Sequence, residues 1–230
     1  RLLPGFSVLP NRSVPFLFFF SLLLIPVQAQ RRYLCSFTAE VIAIDGRLDE
    51  KAWQETKWTE PFVDIRGLSY PRPRFRTRAK MLWDDKNFYI CAELREPHVW
   101  ATLRTHDSVI YHDNDFEIFF DPDGDGLNYF EFEINAWNTG WDLFLPRPYN
   151  RGGKADNSWD IDGLRTAVRV QGKRNDPQGL DEGWTVEMSF PWTAFRHQEY
   201  QAPTPVGGDV WRINFSRVEW RQQILEGKYK

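Results

Sequence analysis

Acidic and amide side chains alternate with apolar ones along two neighbouring segments, residues 115–120 and 130–135. Residues two apart lie on the same face of a β-strand, so these segments predict a hairpin with one apolar and one polar face. The polar face carries Asp115, Glu117, Glu131, Glu133 and Asn135. Carboxylates and amides hydrogen-bond readily to hydroxyl groups. Glu117, Glu133 and Asn135 therefore either bind the hydroxyls of a sugar or form an ordinary solvated face.

Aromatic residues follow this hairpin, and the flat apolar face of an indole ring is a surface on which a sugar ring stacks. Trp137 and Trp141 lie in the segment 135–141, and each either lines a sugar site or packs in the core. Trp159 belongs to a long loop, residues 146–162, and is expected to be exposed. Arg217 on the last predicted strand either donates hydrogen bonds to a ligand or pairs with a neighbouring acid.

The turn between the two segments, residues 121–126, has acidic residues at alternate positions and ends in glycine. Asp121, Asp123 and Asp125 match the first half of a calcium-binding loop. The twelfth residue is Phe132 rather than the glutamate that completes such a loop. A tight hairpin with glycine at positive φ explains the same residues, so both interpretations stay open.

The spacing of acidic residues and histidines gives little support to catalysis. Glu131 and Glu133 share one strand face and lie too close together to flank a glycosidic bond. His112 with Asp113 is the pair that most favours an enzyme. The four histidines lack metal-ligand spacing with one another, and they are His98, His106, His112 and His197.

The composition and charge of the chain limit which classes of binding partner are expected. The chain has 230 residues and a formal net charge of −3, without the run of lysine and arginine that follows phosphates, so nucleic acid is not an expected partner. The two cysteines, Cys35 and Cys91, either form a disulfide or remain free thiols.

The first residues have the pattern of a secretory signal peptide. An apolar run at residues 14–25 follows Arg12 and precedes Ala29. The run is too short to favour a membrane span. We therefore predict a signal peptide at residues 1–29, no stable membrane insertion after cleavage, and a secreted, periplasmic or cell-surface location.

Short alternating segments with turn residues between them, and almost no helical periodicity, make up the rest of the chain. This pattern predicts an all-β antiparallel sandwich, immunoglobulin-like or jelly-roll-like, with one or two short helices. The predicted domain covers residues 38–230, and residues 30–37 form a mature N-terminal segment.

Six motifs, taken in order, resemble the carbohydrate-binding module family 9-like domain: residues 45–53, 81–90, 106–107, 115–121, 182–187 and 214–217. The resemblance implies a sugar-binding β-sandwich, typically an accessory to hydrolases of plant polysaccharides, with structural calcium. It places an aromatic wall at Tyr111, where tryptophan is expected. It also places an acidic ligand-binding residue at Glu117 and polar ones at Glu133 and Asn135.

Two departures from the family pattern bear on ligand binding. Glu133 stands where sugar-binding members have a basic residue, and the C-terminal segment that carries the second aromatic wall is missing, so we expect a domain that is incomplete at its C-terminus. The leading hypothesis is a secreted, non-catalytic domain that binds plant-polysaccharide-type saccharides and requires no cofactor. The alternatives are part of a glycoside hydrolase with a linked catalytic domain outside this sequence, a haem-binding sandwich using Met81 or Met188 with a histidine, and a module without a ligand.

Overall fold

β-Strands dominate the secondary structure of the computed structural model, which describes residues 31–229. The strands of this part are β1 (Ser36–Phe37), β2 (Thr77–Trp83), β3 (Asn87–Arg95), β4 (Asp115–Asp121), β5 (Tyr129–Asn135), β6 (Gly140–Leu145), β7 (Arg165–Gln171), β8 (Gly183–Pro191), β9 (Arg212–Ser216), β10 (Ile224–Leu225) and β11 (Lys228–Tyr229). The helices are α1 (Lys51–Glu55) and single 3-10 turns at Ile110–His112, Tyr149–Arg151 and Trp192–Ala194. The predicted signal peptide, residues 1–29, lies outside the described residues.

Two sheets face each other across an aromatic core. The first has the order β1-β2-β3-β8-β7 and the second the order β6-β5-β4-β9, while β10 and β11 form a separate hairpin. Neighbouring strands are antiparallel except β1 and β2. The ring of Phe120 in β4 lies 5.0 Å from that of Phe190 in β8 and 6.1 Å from that of Phe88 in β3. The predicted antiparallel β-sandwich with few short helices is confirmed.

The β4–β5 hairpin has the alternation that the sequence predicts. Its apolar face is buried in the core and consists of Phe116, Ile118, Phe120, Phe130, Phe132 and Ile134. Glu117 pairs with Glu133 across the ladder, and Phe119 pairs with Glu131. Residues paired in this way project from the same face of the sheet. The three glutamates therefore share the face that points away from the core.

The sulfur-containing side chains are mostly buried. Cys35 and Cys91 are both free, and Cys91 is fully buried in β3. Met81 and Met188 are also buried, among the apolar residues of the core. Both methionines therefore contribute to the apolar packing between the sheets.

Within residues 31–229, no helix has the length and apolar character needed to cross a lipid bilayer.

Glu187 on β8 fixes the turn at residues 45–46 and the helix α1 to the first sheet. Its Oε2 accepts the N–H groups of Asp45 and Gly46, each at 3.0 Å, and its Oε1 accepts the indole N–H of Trp53 at 2.7 Å. Gly46 has a φ of 80°, and a Cβ there would lie 3.1 Å from the backbone of Arg169. Both its conformation and its surroundings therefore favour glycine.

Replacing Glu187 by alanine is expected to lower the free energy of unfolding by about 2 kcal/mol, because three N–H donors lose their acceptor. Urea unfolding of Glu187→Ala measures this loss. Glu182→Ala, at an exposed position of the same region, is the matched control. Equal stability of the two variants would contradict the role assigned to Glu187.

Candidate functional site

The outer face of the four-stranded sheet places predicted site residues in one row. Glu117 of β4 pairs with Ser216 of β9 on one side and with Glu133 of β5 on the other. Glu133 in turn pairs with Trp141 of β6. Glu131 lies in the adjacent row, opposite Phe119. Four strands therefore present one continuous line of polar and aromatic side chains.

This face and the segments beside it enclose a cleft of about 560 Å³. Small-ligand sites typically have volumes of roughly 300–1,000 Å³. The cleft is lined by Tyr111, Glu117, Phe119, Glu131, Glu133, Trp141, Tyr149, Ala155 and Asn157. Four of the predicted ligand-binding residues thus lie together: Tyr111, Glu117, Glu133 and Trp141.

The hydroxyl-bearing rings of the cleft come from two 3-10 turns. Tyr111 is 42% exposed, and its ring lies 6.0 Å from that of Trp141. Its backbone is held on both sides, because its N–H donates to Glu133 and its carbonyl accepts the indole N–H of Trp220. Tyr149 is 54% exposed, and its hydroxyl donates to Glu131 at 3.4 Å.

Burial raises the pKa of the three glutamates in the cleft, and repulsion between carboxylates adds to the rise at Glu131 and Glu133. Burial, followed by the charges of Glu117 and Glu131, raises the pKa of Glu133 to about 9. Burial and the charge of Glu117 raise the pKa of Glu131 to about 7, and burial raises the pKa of Glu117. Glu133 therefore holds a proton at neutral pH and shares a hydrogen bond with Glu131. The side chains that line the cleft include no lysine, arginine or histidine.

Asn135 lies outside the cleft, although it follows Glu133 on the same face of β5. It is fully buried, and its Nδ2 donates to the carbonyl of Leu103 and to Asp113. Its Oδ1 accepts the N–H groups of Trp137 and Thr139. An amide side chain has two N–H donors and one oxygen with two lone pairs, so the protein uses the whole hydrogen-bonding capacity of Asn135.

Trp137 also lies outside the cleft, where it lines a separate hollow of about 290 Å³. Its indole N–H donates to the carbonyl of Ala101 at 2.8 Å. The guanidinium groups of Arg104 and Arg174 lie over its ring, 3.7 and 3.9 Å from the centroid. Two cations thus occupy the ring surface that a sugar would need.

Trp159 and Arg217 are part of the protein interior. The expectation that Trp159 is exposed is wrong, because its ring packs 4.9 Å from that of Phe130 and its indole N–H donates to the carbonyl of Arg196. Arg217 is buried and pairs with Glu96 at 3.0 Å. Neither residue lines the cleft. Of the two interpretations of Arg217, pairing with an acid is the one seen in the structure.

The acidic loop 121–126 brings carboxylate oxygens of Asp121, Asp123 and Asp125 within 4.8 Å of one another. These oxygens already have partners: those of Asp121 accept the N–H groups of Gly124 and Gly126. Arg212 also donates to Asp121, and Asp123 and Asp125 accept backbone N–H groups. The residues thus satisfy one another as in a tight hairpin, and calcium at this loop stays a prediction.

Three polar residues of the cleft were not assigned to ligand binding from the sequence: Glu131, Tyr149 and Asn157. Glu131 carries a signal, because it shares the alternating face of β5 with Glu133. Tyr149 and Asn157 belong to the long loop between β6 and β7, where no periodicity indicates which side chains turn towards a sheet.

Comparison with known proteins identifies the family. Residues 44–224 match the family described as carbohydrate family 9 binding domain-like. The chain belongs to this family. The matched range contains β2 to β9 and every residue that lines the cleft. The resemblance inferred from the six motifs is therefore confirmed.

Solved structures of related modules share the fold of this family 9-like domain. A carbohydrate-binding module family 9 from Caldicellulosiruptor kristjanssonii in complex with cellotriose superposes with a TM-score of 0.51, at 20% identity, over 79% of this chain and 73% of that chain. The same organism's module in complex with glucose gives a TM-score of 0.50 at 19% identity, over 78% of this chain and 75% of that chain. At these identities the similarity establishes the fold.

A curated relative is Exoglucanase XynX from Acetivibrio thermocellus, which is 24% identical over 116 residues. The match covers 50% of this chain but 9% of the exoglucanase. The matched segment is thus less than a tenth of the length of that protein.

Proposed function

We propose that this protein is a secreted, non-catalytic domain that binds saccharides of the plant-polysaccharide type in the cleft and serves carbohydrate catabolism. One observation carries the proposal: Tyr111, Trp141 and Tyr149 line one cleft together with three glutamates. Aromatic rings offer flat apolar surfaces to the C–H faces of a sugar. Carboxylates accept hydrogen bonds from its hydroxyls.

The polar groups of the cleft suit a hydroxyl-rich ligand. A hydroxyl group both donates and accepts hydrogen bonds. Glutamate oxygens provide acceptors, and the hydroxyl of Tyr111 provides a donor. The cleft therefore offers both the donors and the acceptors that a sugar hydroxyl can use.

The related modules suggest which saccharides to test first. Those from Caldicellulosiruptor kristjanssonii are in complex with cellotriose and glucose. Isothermal titration of this protein with glucose, cellotriose and xylo-oligosaccharides is the direct test. Measurable heat with one of them is the expected result, and no binding to any of them would overturn the proposal.

Tyr149 is the residue whose replacement separates binding from folding. Its ring is exposed and lines the cleft, so Tyr149→Ala is expected to weaken saccharide binding about tenfold, or roughly 1.4 kcal/mol. The thermal midpoint should stay close to that of the wild type. Tyr70→Ala, which removes an exposed ring outside the cleft lining, is the matched control. Equal affinities of the two variants would exclude Tyr149 from the site.

A glycoside hydrolase is the second candidate, favoured by the similarity to part of Exoglucanase XynX. In that case this domain is the binding part of a longer enzyme, and the catalytic domain lies outside this sequence. Release of reducing sugar from xylan or glucan by this chain alone would instead place catalysis in the domain itself.

A further inference from the structure

Three buried carboxyl groups converge where β4 and β5 meet the cleft. Asp115, Glu117 and Glu133 each place an oxygen within 4.8 Å of the other two. Glu117 and Glu133 are paired directly across the ladder, and Asp115 precedes Glu117 by two residues on the same face. All three side chains are almost completely shielded from solvent by the protein.

Asp115 has an oxygen that no described residue satisfies. Its side chain is fully buried, its Oδ1 accepts the N–H of Val218 at 2.8 Å, and its Oδ2 has no partner within residues 31–229. A buried carboxylate oxygen without a partner is costly. Arg217 is the cation that acts on Asp115, but its terminal nitrogens donate to Glu96, Thr77 and the carbonyl of Arg95, and its Nε makes no hydrogen bond to a described residue.

The ligand atoms of this cluster are all carboxylate oxygens, without a nitrogen or sulfur. Calcium takes six to eight oxygen ligands at about 2.3–2.6 Å in flexible geometry, whereas magnesium needs a near-ideal octahedron. Zinc and copper favour imidazole and thiolate. Three carboxylates therefore suit calcium, and they leave coordination positions to be filled from the cleft.

We propose that Asp115, Glu117 and Glu133 bind a calcium ion at the base of the cleft, and that the ion coordinates neighbouring hydroxyls of the bound saccharide. The contact between the ion and the saccharide rests on the proposed function, while the binding of the ion does not. The ion supplies the missing partner of Asp115 and removes the repulsion among three acids.

The acidic loop 121–126 is the natural comparison within the same chain. It has three carboxylates at similar spacing, but none of their oxygens is a buried atom without a hydrogen-bond partner, as Oδ2 of Asp115 is. Asp123 is exposed, so Asp123→Asn removes a charge there without disturbing the core. The two clusters can thus be tested against each other with variants that differ by one charge.

Titration of calcium chloride into EDTA-treated protein at pH 8, without sugar, tests the ion site. The expected result is saturable binding of one ion and a thermal midpoint that rises with calcium concentration. Glu133→Gln keeps the shape of the side chain and should weaken calcium binding at least tenfold, while Asp123→Asn should leave it unchanged. Binding that is lost in Asp123→Asn and kept in Glu133→Gln, or no binding at millimolar calcium, would overturn the proposal.

Titration of cellotriose in millimolar calcium and in EDTA then tests the contact between ion and sugar. We expect at least tenfold weaker binding in EDTA. Equal binding in both would overturn the role of the ion and leave the proposed function intact. Calcium binding without any saccharide binding would support the ion site and contradict the proposed function.

Discussion

Replacing Arg217 by methionine is expected to lower the free energy of unfolding by about 3–5 kcal/mol. The side chain of Arg217 is 6% exposed and that of Glu96 is 3% exposed, and their ion pair at 3.0 Å joins the end of β9 to the end of β3. Without Arg217, Glu96 remains a buried charge that lacks its cation. Burial already raises the pKa of Glu96, and Arg217 counteracts that rise. Urea unfolding of Arg217→Met measures the loss.

Two further variants show why Arg217→Met loses stability. Glu96→Gln combined with Arg217→Met leaves no unpaired charge, so the double variant is expected to recover part of the stability. Arg74→Met removes the more exposed ion pair with Glu219 and should cost no more than about 1 kcal/mol. An Arg217→Met protein with unchanged stability and weaker saccharide binding would instead restore the interpretation of Arg217 as a ligand-binding arm.

The β4–β5 hairpin is the part of the fold that the sequence predicts best. Strand alternation has a period of two, so the burial of Phe116 and Phe132 follows directly from their spacing. The same period places Glu117 and Glu133 on the opposite face. Ladder pairing then brings them together, because the buried apolar face specifies the register of the two strands.

Other site residues depend on contacts that are distant in sequence. Asn135 bonds the carbonyl of Leu103, 32 residues away, and Trp159 bonds the carbonyl of Arg196, 37 residues away. Arg217 and Glu96 are 121 residues apart. Alternation predicts which face a side chain joins but not which loop covers it. The sequence therefore could not distinguish the exposed ring of Tyr149 from the covered ring of Trp159.

The free energy of unfolding of the metal-free protein is expected to fall as pH rises from about 5 to about 9. Burial and neighbouring charges raise the pKa of Glu131 to about 7 and of Glu133 to about 9, from a usual value of 4.5. Between the usual and the raised pKa, the folded state binds more protons than the unfolded state. Stability is therefore fully present below pH 4.5 and is lost as pH rises through the folded pKa.

Glu133 accounts for the largest part of this loss. One unit of pKa shift corresponds to about 1.4 kcal/mol, so ionisation of Glu133 alone is expected to lower the free energy of unfolding by about 4 kcal/mol between pH 5 and pH 8. The charged and titratable groups that face it are Asp115, Glu117, Glu131 and Tyr149. Glu133→Gln removes the charge and keeps the shape, so it should flatten the profile and make the variant more stable than the wild type at pH 8.

Urea unfolding in EDTA at pH 5, 6.5 and 8 measures both profiles. This pH range lies above the range in which carboxylates with a lowered pKa affect stability. Hydrogen bonds with Arg66 hold the pKa of Asp64 at about 2, so protonation of Asp64 destabilises the protein only below pH 5. Glu199→Gln, at an exposed position, should keep the wild-type slope. Burial raises the pKa of Glu187 to about 7. Its ionisation lowers the free energy of unfolding equally in the wild type and in both variants, so it cancels in the comparison. Parallel profiles for wild type and Glu133→Gln would mean that the carboxyl of Glu133 is solvated, and the cleft would then lack the concentrated acidity on which calcium binding depends.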